Sequence, residues 1–563
     1  MTPTASRQAE TICDSNSEGY GKILEPNSIR YSMSFADLVI QNGPVITMDP
    51  RRGIVEAVAV QDGKIVAVGS KPEVKRLIGP MTEVVDLDGR ACTPGLVNTH
   101  DHFLEHGISS AFIIDIRYPK AKSIKEIVKM VEQRVKESPK GQWIIAHVWD
   151  ESLLEEKRYP TRHDFDAVSP DNPVYVKRVF QMGVANSKAL ELAGITRDSV
   201  DPKFGVIDRD ESGEPTGLLR GRASLLVTGV IKWSKEDKLK AVKQACRDFH
   251  AVGFTTVIEP GLLAEDIDVF RESHRRGYLT HRVQIQVGFL MSLKETQWAV
   301  DNYVVGGDDM LRITGLKMAV DGGVGPRTAL FYDGYQDKPE VHGNQMVTQE
   351  ELNEMVLLGH RNSFQVAIHA IGDKAIDITL NAYEYAQKNY FRPDCRHQIV
   401  HCYFPTEKAK KQLVDLGVMV NTQTPFFYFL GESFLEALGE ERCRECMPVK
   451  TLSNLGIPVG ISHDATVTQP LPNIGLYASV TRKTLKGNTL GTEEAVDAET
   501  ALGFYTMPAA KHTFMEDKIG SIEVGKYADL AVWNFNPLTV EPEKLKDWRC
   551  EMTYIEGRRV YPE

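Results

Sequence analysis

Eight short apolar runs, kept apart by stretches of helical periodicity, constrain the fold of this 563-residue chain more than any other feature. They read GLVNTHDH (95–102), FTTVIEPG (254–261), HRVQIQVGF (281–289), RITGLKMAVDGG (312–323), QVAIHAIGD (365–373), HQIVHC (397–402), GVMVNTQ (417–423) and PVGISHD (458–464). Segments such as EDKLKAVKQACRDFHAVG, EELNEMVLLGHR and AIDITLNAYEYAQ, with apolar residues at helical spacing, lie between them. Eight strands alternating with helices is the number that closes a parallel ring. The expected fold class is therefore α/β, a (β/α)8 barrel of the TIM type.

The barrel is expected over 93–514. Residues 35–92 read instead as short strands and turns, with Asn42-Gly43 and Asp62-Gly63 as hairpin signals, and 515–563 return to the same vocabulary. Both ends together predict one composite β-sandwich domain. The stretch from about 115 to 234 is too long for a single connection and predicts an insert after barrel strand 1, lying over the barrel mouth. Residues 1–34 are polar and read as a flexible leader without a secretory pattern.

A net charge of −11 disfavours nucleic acid or an anionic membrane as partner, and no apolar stretch approaches the ~18 residues of a membrane span. A small-molecule substrate is expected. Of the eight cysteines only Cys443 and Cys446 are close in sequence, with no second pair to complete a zinc ribbon. Unpaired thiols in a reducing cytoplasm are the expected state.

In such barrels the functional residues gather at the C-terminal strand ends. His100 and His102 end the first run, one residue apart and on one side of a strand by alternation. Lys317 lies in the fourth, His369 and His401 end the fifth and sixth, and Asp464 follows the eighth. Histidine and carboxylate suit zinc or a similar divalent ion, one or two in number. Lys317 has two readings. As an ammonium it pairs with Asp321; as a desolvated neutral amine it adds carbon dioxide and becomes an anionic carbamate ligand. Asp464 is the candidate proton carrier, with His401 beside it as a catalytic group orienting the carbonyl.

Trp149, after WIIAHV in the insert, and Arg220, after GEPTGLL, are candidate substrate contacts, with core packing and a surface salt bridge as their alternatives. His397 reads as a buried structural histidine and Asp373 as a helix N-cap. The glycines of DGGVGPRT lack the ending of a phosphate loop.

PGLVNTHDH, ANSKALELAGI, RDESGEPTGLL, GLKMAVDGGVGPRTAL, VAIHAIGDKAID, HQIVHC, SHD and GSIEVGKYADLAVW follow one another in an order that resembles the amidohydrolase superfamily, in its amidohydrolase-3 branch. The resemblance covers nearly all of 36–563. It implies a metal-dependent hydrolase whose metal site maps onto His100, His102, carboxylated Lys317, His369, His401 and Asp464. It also implies a homodimer. Two departures stand out: His463 is an extra imidazole before the strand-8 aspartate, and Gln181 stands near the place of a histidine in relatives. Both become candidate substrate contacts.

The activity expected is hydrolysis of a carbon–nitrogen bond, in an amide or formamide-like small molecule, by metal-activated water. A metal-dependent deaminase or other-bond hydrolase is the alternative. A non-catalytic barrel would be marked by missing ligands, and none is missing.

Overall fold

The computed structural model describes residues 35–563 except 150, 152, 179–181 and 204. The expected leader and Gln181 lie outside the described residues. All eight apolar runs form strands of one sheet: β1 Leu96–Asn98, β2 Phe254–Leu262, β3 Arg282–Leu290, β4 Leu311–Ala319, β5 Gln365–Ala370, β6 Gln398–His401, β7 Met419–Thr422 and β8 Val459–Ile461. Every neighbouring pair from β1 to β8 is parallel.

The chain at Phe504-Tyr505 bridges the remaining gap between β8 and β1. The Ile461 N–H donates to the Phe504 carbonyl at 3.1 Å and the Val97 N–H to the Tyr505 carbonyl at 2.8 Å. A Cβ on Gly460 would stand 2.5 Å from the Thr99 methyl, so a side chain there would push the two strands apart.

Strand alternation sends Val283, Ile285 and Val287 of β3 into the main hydrophobic core, which the surrounding helices cover. The helix Lys235–His250 meets that core with Leu239, Val242, Cys246 and Phe249, at helical spacing, and its first turn is held by a Ser234/Asp237 capping box.

Strands from both ends of the chain share one eight-stranded mixed sheet. Ala91–Pro94 pairs antiparallel with Leu530–Trp533, with Cys92 opposite Val532. Leu38, Ile40, Val58 and Val60 pack with Leu530, Val532 and Tyr554 in a single core. The Asp62-Gly63 hairpin is present. Asn42-Gly43, by contrast, is not a turn but a bulge inside one strand, Leu38–Ile46. There the strand exchanges its parallel neighbour, from Glu83–Asp86 to Cys92. Only glycine fits, since a Cβ at Gly43 would lie 2.5 Å from the Arg90 carbonyl oxygen.

Between the helix Phe103–Phe112 and Lys235–His250, a six-stranded sheet runs from Ile113 to Gly221, with a core of its own that includes Ile114, Ile127, Val174 and Val176.

The floor of the barrel is fixed to the terminal sheet by Arg282, the first residue of β3. Its fully buried guanidinium donates to Asp529 at 2.6 and 3.0 Å and to Glu556 at 3.0 Å, and lies 4.4 Å above the Tyr527 ring. Among the described residues, no helix is long and apolar enough to cross a membrane, and the seven cysteines are free and buried.

His250 and His281 meet near this floor with ring centroids 5.2 Å apart and planes tilted by 34°. Burial lowers the pKa of His250 to about 4 and that of His281 well below 6.5. An unfolded chain protonates histidine near the ordinary 6.5, whereas the native state holds His250 neutral down to about 4. The stability this group contributes is therefore complete above pH 6.5 and is lost as pH falls from 6.5 to 4. His250→Gln is expected to reduce the acid-linked loss by on the order of 3 kcal/mol, read from unfolding midpoints across that window. Identical pH dependence in both proteins would reject the assignment.

Candidate metal centre

Strand β1 stops at Asn98, so His100 and His102 are not brought together by strand alternation, as the sequence suggested. They lie in the turn beyond it, where His102 is the N-cap residue of the helix Phe103–Phe112. Its side chain does not cap that helix. The Glu259 carboxylate at the end of β2 does so instead, accepting the N–H groups of Phe103 (2.5 Å) and Leu104 (3.3 Å). The imidazole of His102 is thereby left to face the barrel axis.

His100 Nε2 and His102 Nε2 lie 3.5 and 3.3 Å from the same oxygen, Oδ1 of Asp464. The ligand atoms of the three residues fall within 4.8 Å of one another. The rings of His369 and His401 are 4.3 Å apart, and His100 is 6.0 Å from His401.

Two of these positions require unusual backbone. Register pairs His401 with Ala370, whose side chain belongs to the core outside the ring. A regular strand would aim His401 outward too. Its φ of 80° turns the imidazole inward, and Asp464 sits at φ 50° after β8. Non-glycine residues in this region are rare and cluster at functional sites.

Lys317 projects inward from β4, 2% exposed, and its Nζ has no hydrogen-bond partner. It does not pair with Asp321. That carboxylate accepts the N–H groups of Leu330, Ile371 and Gly372 at 2.8–3.0 Å and holds the loops after β4 and β5 together. Burial pushes the Lys317 amine down to about 7, against the raising effect of Asp464. Burial also holds His100 and His369 well below their usual range and His401 at about 4. It would raise Asp464 as well, but the hydrogen bond from His102 and the surrounding imidazoles keep Asp464 below the usual carboxylate range. His102 is raised to about 9, burial being outweighed by the Asp464 carboxylate. Three of the imidazoles are held neutral, Asp464 is a persistent anion that keeps a proton on His102, and the Lys317 amine is readily deprotonated; a divalent ion would take the place of the His102 proton.

The tautomers are fixed from behind. His401 Nδ1–H donates to Gln423 Oε1 at 2.6 Å, and the Tyr403 hydroxyl donates to the same oxygen at 2.8 Å. The Gln423 amide nitrogen donates to Asn421 Oδ1 (3.0 Å) and Ser462 Oγ (2.8 Å), so the amide has a single orientation. Asn421 in turn donates to the Thr99 carbonyl beside His100. His401 thus presents Nε2 to the centre. His369 donates Nε2–H to the Gly322 carbonyl at 3.2 Å and presents Nδ1.

A second group, His360, Cys395 and His397, also has ligand atoms close together. Its proton count is closed without an ion. Val366 N–H donates to His397 Nδ1 at 2.9 Å, which places the His397 proton on Nε2, 2.9 Å from His360 Nδ1. His360 Nε2–H donates to the Tyr390 carbonyl at 2.7 Å. His397 is a buried structural histidine.

The residues expected to touch substrate fare differently. His463 is fully buried behind the site, 3.3 Å from Asn98 Nδ2 and stacked on Tyr505. Its ring is closed off from solvent, and burial lowers its pKa to about 3. Trp149 is a core residue of the insert, 2% exposed, its indole N–H donating to the Val176 carbonyl at 3.1 Å. Arg220 sits in the insert sheet, paired with Asp208 at 2.8 Å over the Tyr159 ring. Asp373 is the first helical residue, and Gly372 is the N-cap. The sequence reading missed Gln423 and Tyr403. Gln423 ends the seventh run just as the ligands end theirs, but an amide does not suggest metal chemistry.

A closed parallel barrel with imidazole, amine and carboxylate groups converging at its C-terminal end defines a metal-dependent hydrolase. Residues 83–561 match the amidohydrolase family (Amidohydro_3) model, and the chain belongs to that family. It is 30% identical over 533 residues to N-substituted formamide deformylase of Arthrobacter pascens, covering 92% of this chain and 97% of that one. It is also 30% identical over 537 residues to the putative amidohydrolase YtcJ of Bacillus subtilis, covering 92% and 98%. The crystal structure of an uncharacterized metal-dependent hydrolase from Pyrococcus horikoshii superposes with a TM-score of 0.75 at 26% identity, covering 90% of this chain and 99% of that one.

Gln423→Leu, which removes the acceptor behind His401, is expected to weaken divalent-ion binding about 10- to 100-fold in chelator competition, and Gln423→Glu to retain it. Equal affinity in wild type and the leucine variant would show that the tautomer is set elsewhere.

Proposed function

We propose that the protein hydrolyses the carbon–nitrogen bond of an amide or formamide-like small molecule, using one or two zinc ions held by His100, His102, Lys317, His369, His401 and Asp464. One observation carries this reading: His100, His102 and Asp464 gather within 4.8 Å beside a fully buried lysine amine that has no partner. The likeness to N-substituted formamide deformylase over nearly the whole chain supports the choice of bond.

When bound, the ion supplies Lewis acidity, which makes water a better nucleophile and draws charge from a carbonyl oxygen. The chain supplies the rest. Asp464, held as an anion between two imidazoles, accepts the proton of the attacking water and returns it to the departing nitrogen. The Gln423 network keeps the His401 ring from turning as charge develops at the carbonyl. Lys317 enters as a carbamate: its neutral Nζ bonds to the carbon of carbon dioxide and releases one proton, leaving an anion where an ammonium would repel the ion. An amine with a pKa near 7 is neutral often enough for this at physiological pH.

The test is amine or formate release from a panel of N-formyl and N-acyl amines, with ammonia release followed in parallel. His100→Ala and Asp464→Ala should each lose activity by at least about a hundredfold with circular dichroism unchanged. Full turnover by either variant sinks the site. For Lys317, intact electron density or native mass should show one added carboxyl group, and activity recovered after chelation and re-metallation should rise with bicarbonate. A bare ammonium and indifference to bicarbonate would reject the carbamate.

A further inference from the structure

We propose that Phe289 is a specificity-determining residue, an apolar wall beside the reacting centre that selects amides carrying an aromatic or bulky apolar substituent. The inference rests on the amide reading above and is drawn from the register of β3.

Along β3, Val283, Ile285 and Val287 point away from the ring into the helix-covered core. Plain alternation would send Phe289 the same way. It does not, because the register between β3 and β4 shifts between Val287 and Phe289. Val287 lies opposite Leu316 and Leu290 opposite Met318, all four in the outer core. Phe289 lies opposite Lys317, and residues in register across parallel strands share a face. The extra residue is Gly288, at φ 68°, where a Cβ would stand 2.3 Å from a Leu290 methyl.

The neighbouring strand carries a matching irregularity. In β2 the register shifts between Pro260 and Leu262 around Gly261, at φ 78°. A Cβ on Gly261 would lie 4.0 Å from the Phe289 Cβ, so the glycine leaves space on that side of the ring. Bulges of this kind re-aim side chains next to active sites.

The result is an exposed aromatic on a strand whose neighbours are buried. Phe289 is 49% exposed, against 2% for Lys317, His100 and His401 and 8% for Asp464. Beside His401 the ring of Phe426 stands 6.5 Å away, backed by Tyr403 and Phe434. A polar floor thus has an apolar neighbour on the β3 side and another beside β6. A substrate that places its amide on the floor and a ring or branched alkyl group against Phe289 covers surface that water otherwise wets.

The test uses the zinc-loaded full chain and two readouts. Acetohydroxamate and benzohydroxamate share a metal-binding head and differ in methyl against phenyl. Calorimetry should show the phenyl compound bound about tenfold more tightly by wild type, the preference lost in Phe289→Ala and restored in Phe289→Trp. The ratio of kcat/KM for N-formyl-2-phenylethylamine over N-formylmethylamine should move in parallel.

A wild type that does not favour the phenyl hydroxamate, or a Phe289→Ala variant that keeps the preference, overturns the proposal and leaves the amide reading standing. A preserved hydroxamate preference with no turnover of either formamide overturns the amide reading and leaves the role of Phe289 standing.

Discussion

Closing eight parallel strands into a ring takes water away from the ring's interior, and this desolvation governs every group that projects into it. It is the largest influence on Lys317, His100, His369 and His401, driving each toward its uncharged form. Neutral imidazoles and a neutral amine are ligands; their protonated forms are not. Asp464 escapes, because His100 and His102 both converge on one of its oxygens, and its charge in turn keeps a proton on His102. Burial and one well-partnered anion together make a site for a cation out of residues that in water would hold protons.

The positions of these groups come from departures from regular strand geometry. A perfectly alternating barrel would aim His401 outward with Ala370 and Phe289 outward with Val287. Positive φ at His401 and a glycine bulge at residue 288 reverse both. His100 and His102 likewise depend on a turn, and on Glu259 taking over the helix cap that His102 leaves unmade. Regular hydrogen-bonded pairing supplies rigidity, while the irregular residues at its upper rim supply direction.

Much of this was legible in the sequence. The eight runs announce themselves by composition and spacing, and the strand-end residues of five of them mark the centre. Lys317 stood out because an ammonium is no metal ligand, which left a pair with Asp321 or a carbamate as its two readings. What was not legible depends on backbone that no periodicity encodes. Asn42-Gly43 has the letters of a hairpin but serves as a bulge, because the Leu87–Arg90 turn packs against it. His463 looks like a substrate contact from its place beside Asp464, yet its ring lies behind the site against Tyr505. Trp149 ends a strand in the insert, but its indole completes that sheet's own core. Gln423 escaped notice because its importance lies in a hydrogen bond to a residue 22 positions away.

The Arg282 anchor joins residues that are far apart along the chain. Its partners Asp529 and Glu556 are 247 and 274 positions further on, and Ala91–Pro94 waits for Leu530–Trp533 to complete its ladder. During synthesis, therefore, the early strands and the underside of the barrel remain without their mates until residues 529–556 have been made. An open strand edge invites pairing with other chains. Nascent copies still short of those residues would present open edges to one another, a hazard that the finished fold no longer carries.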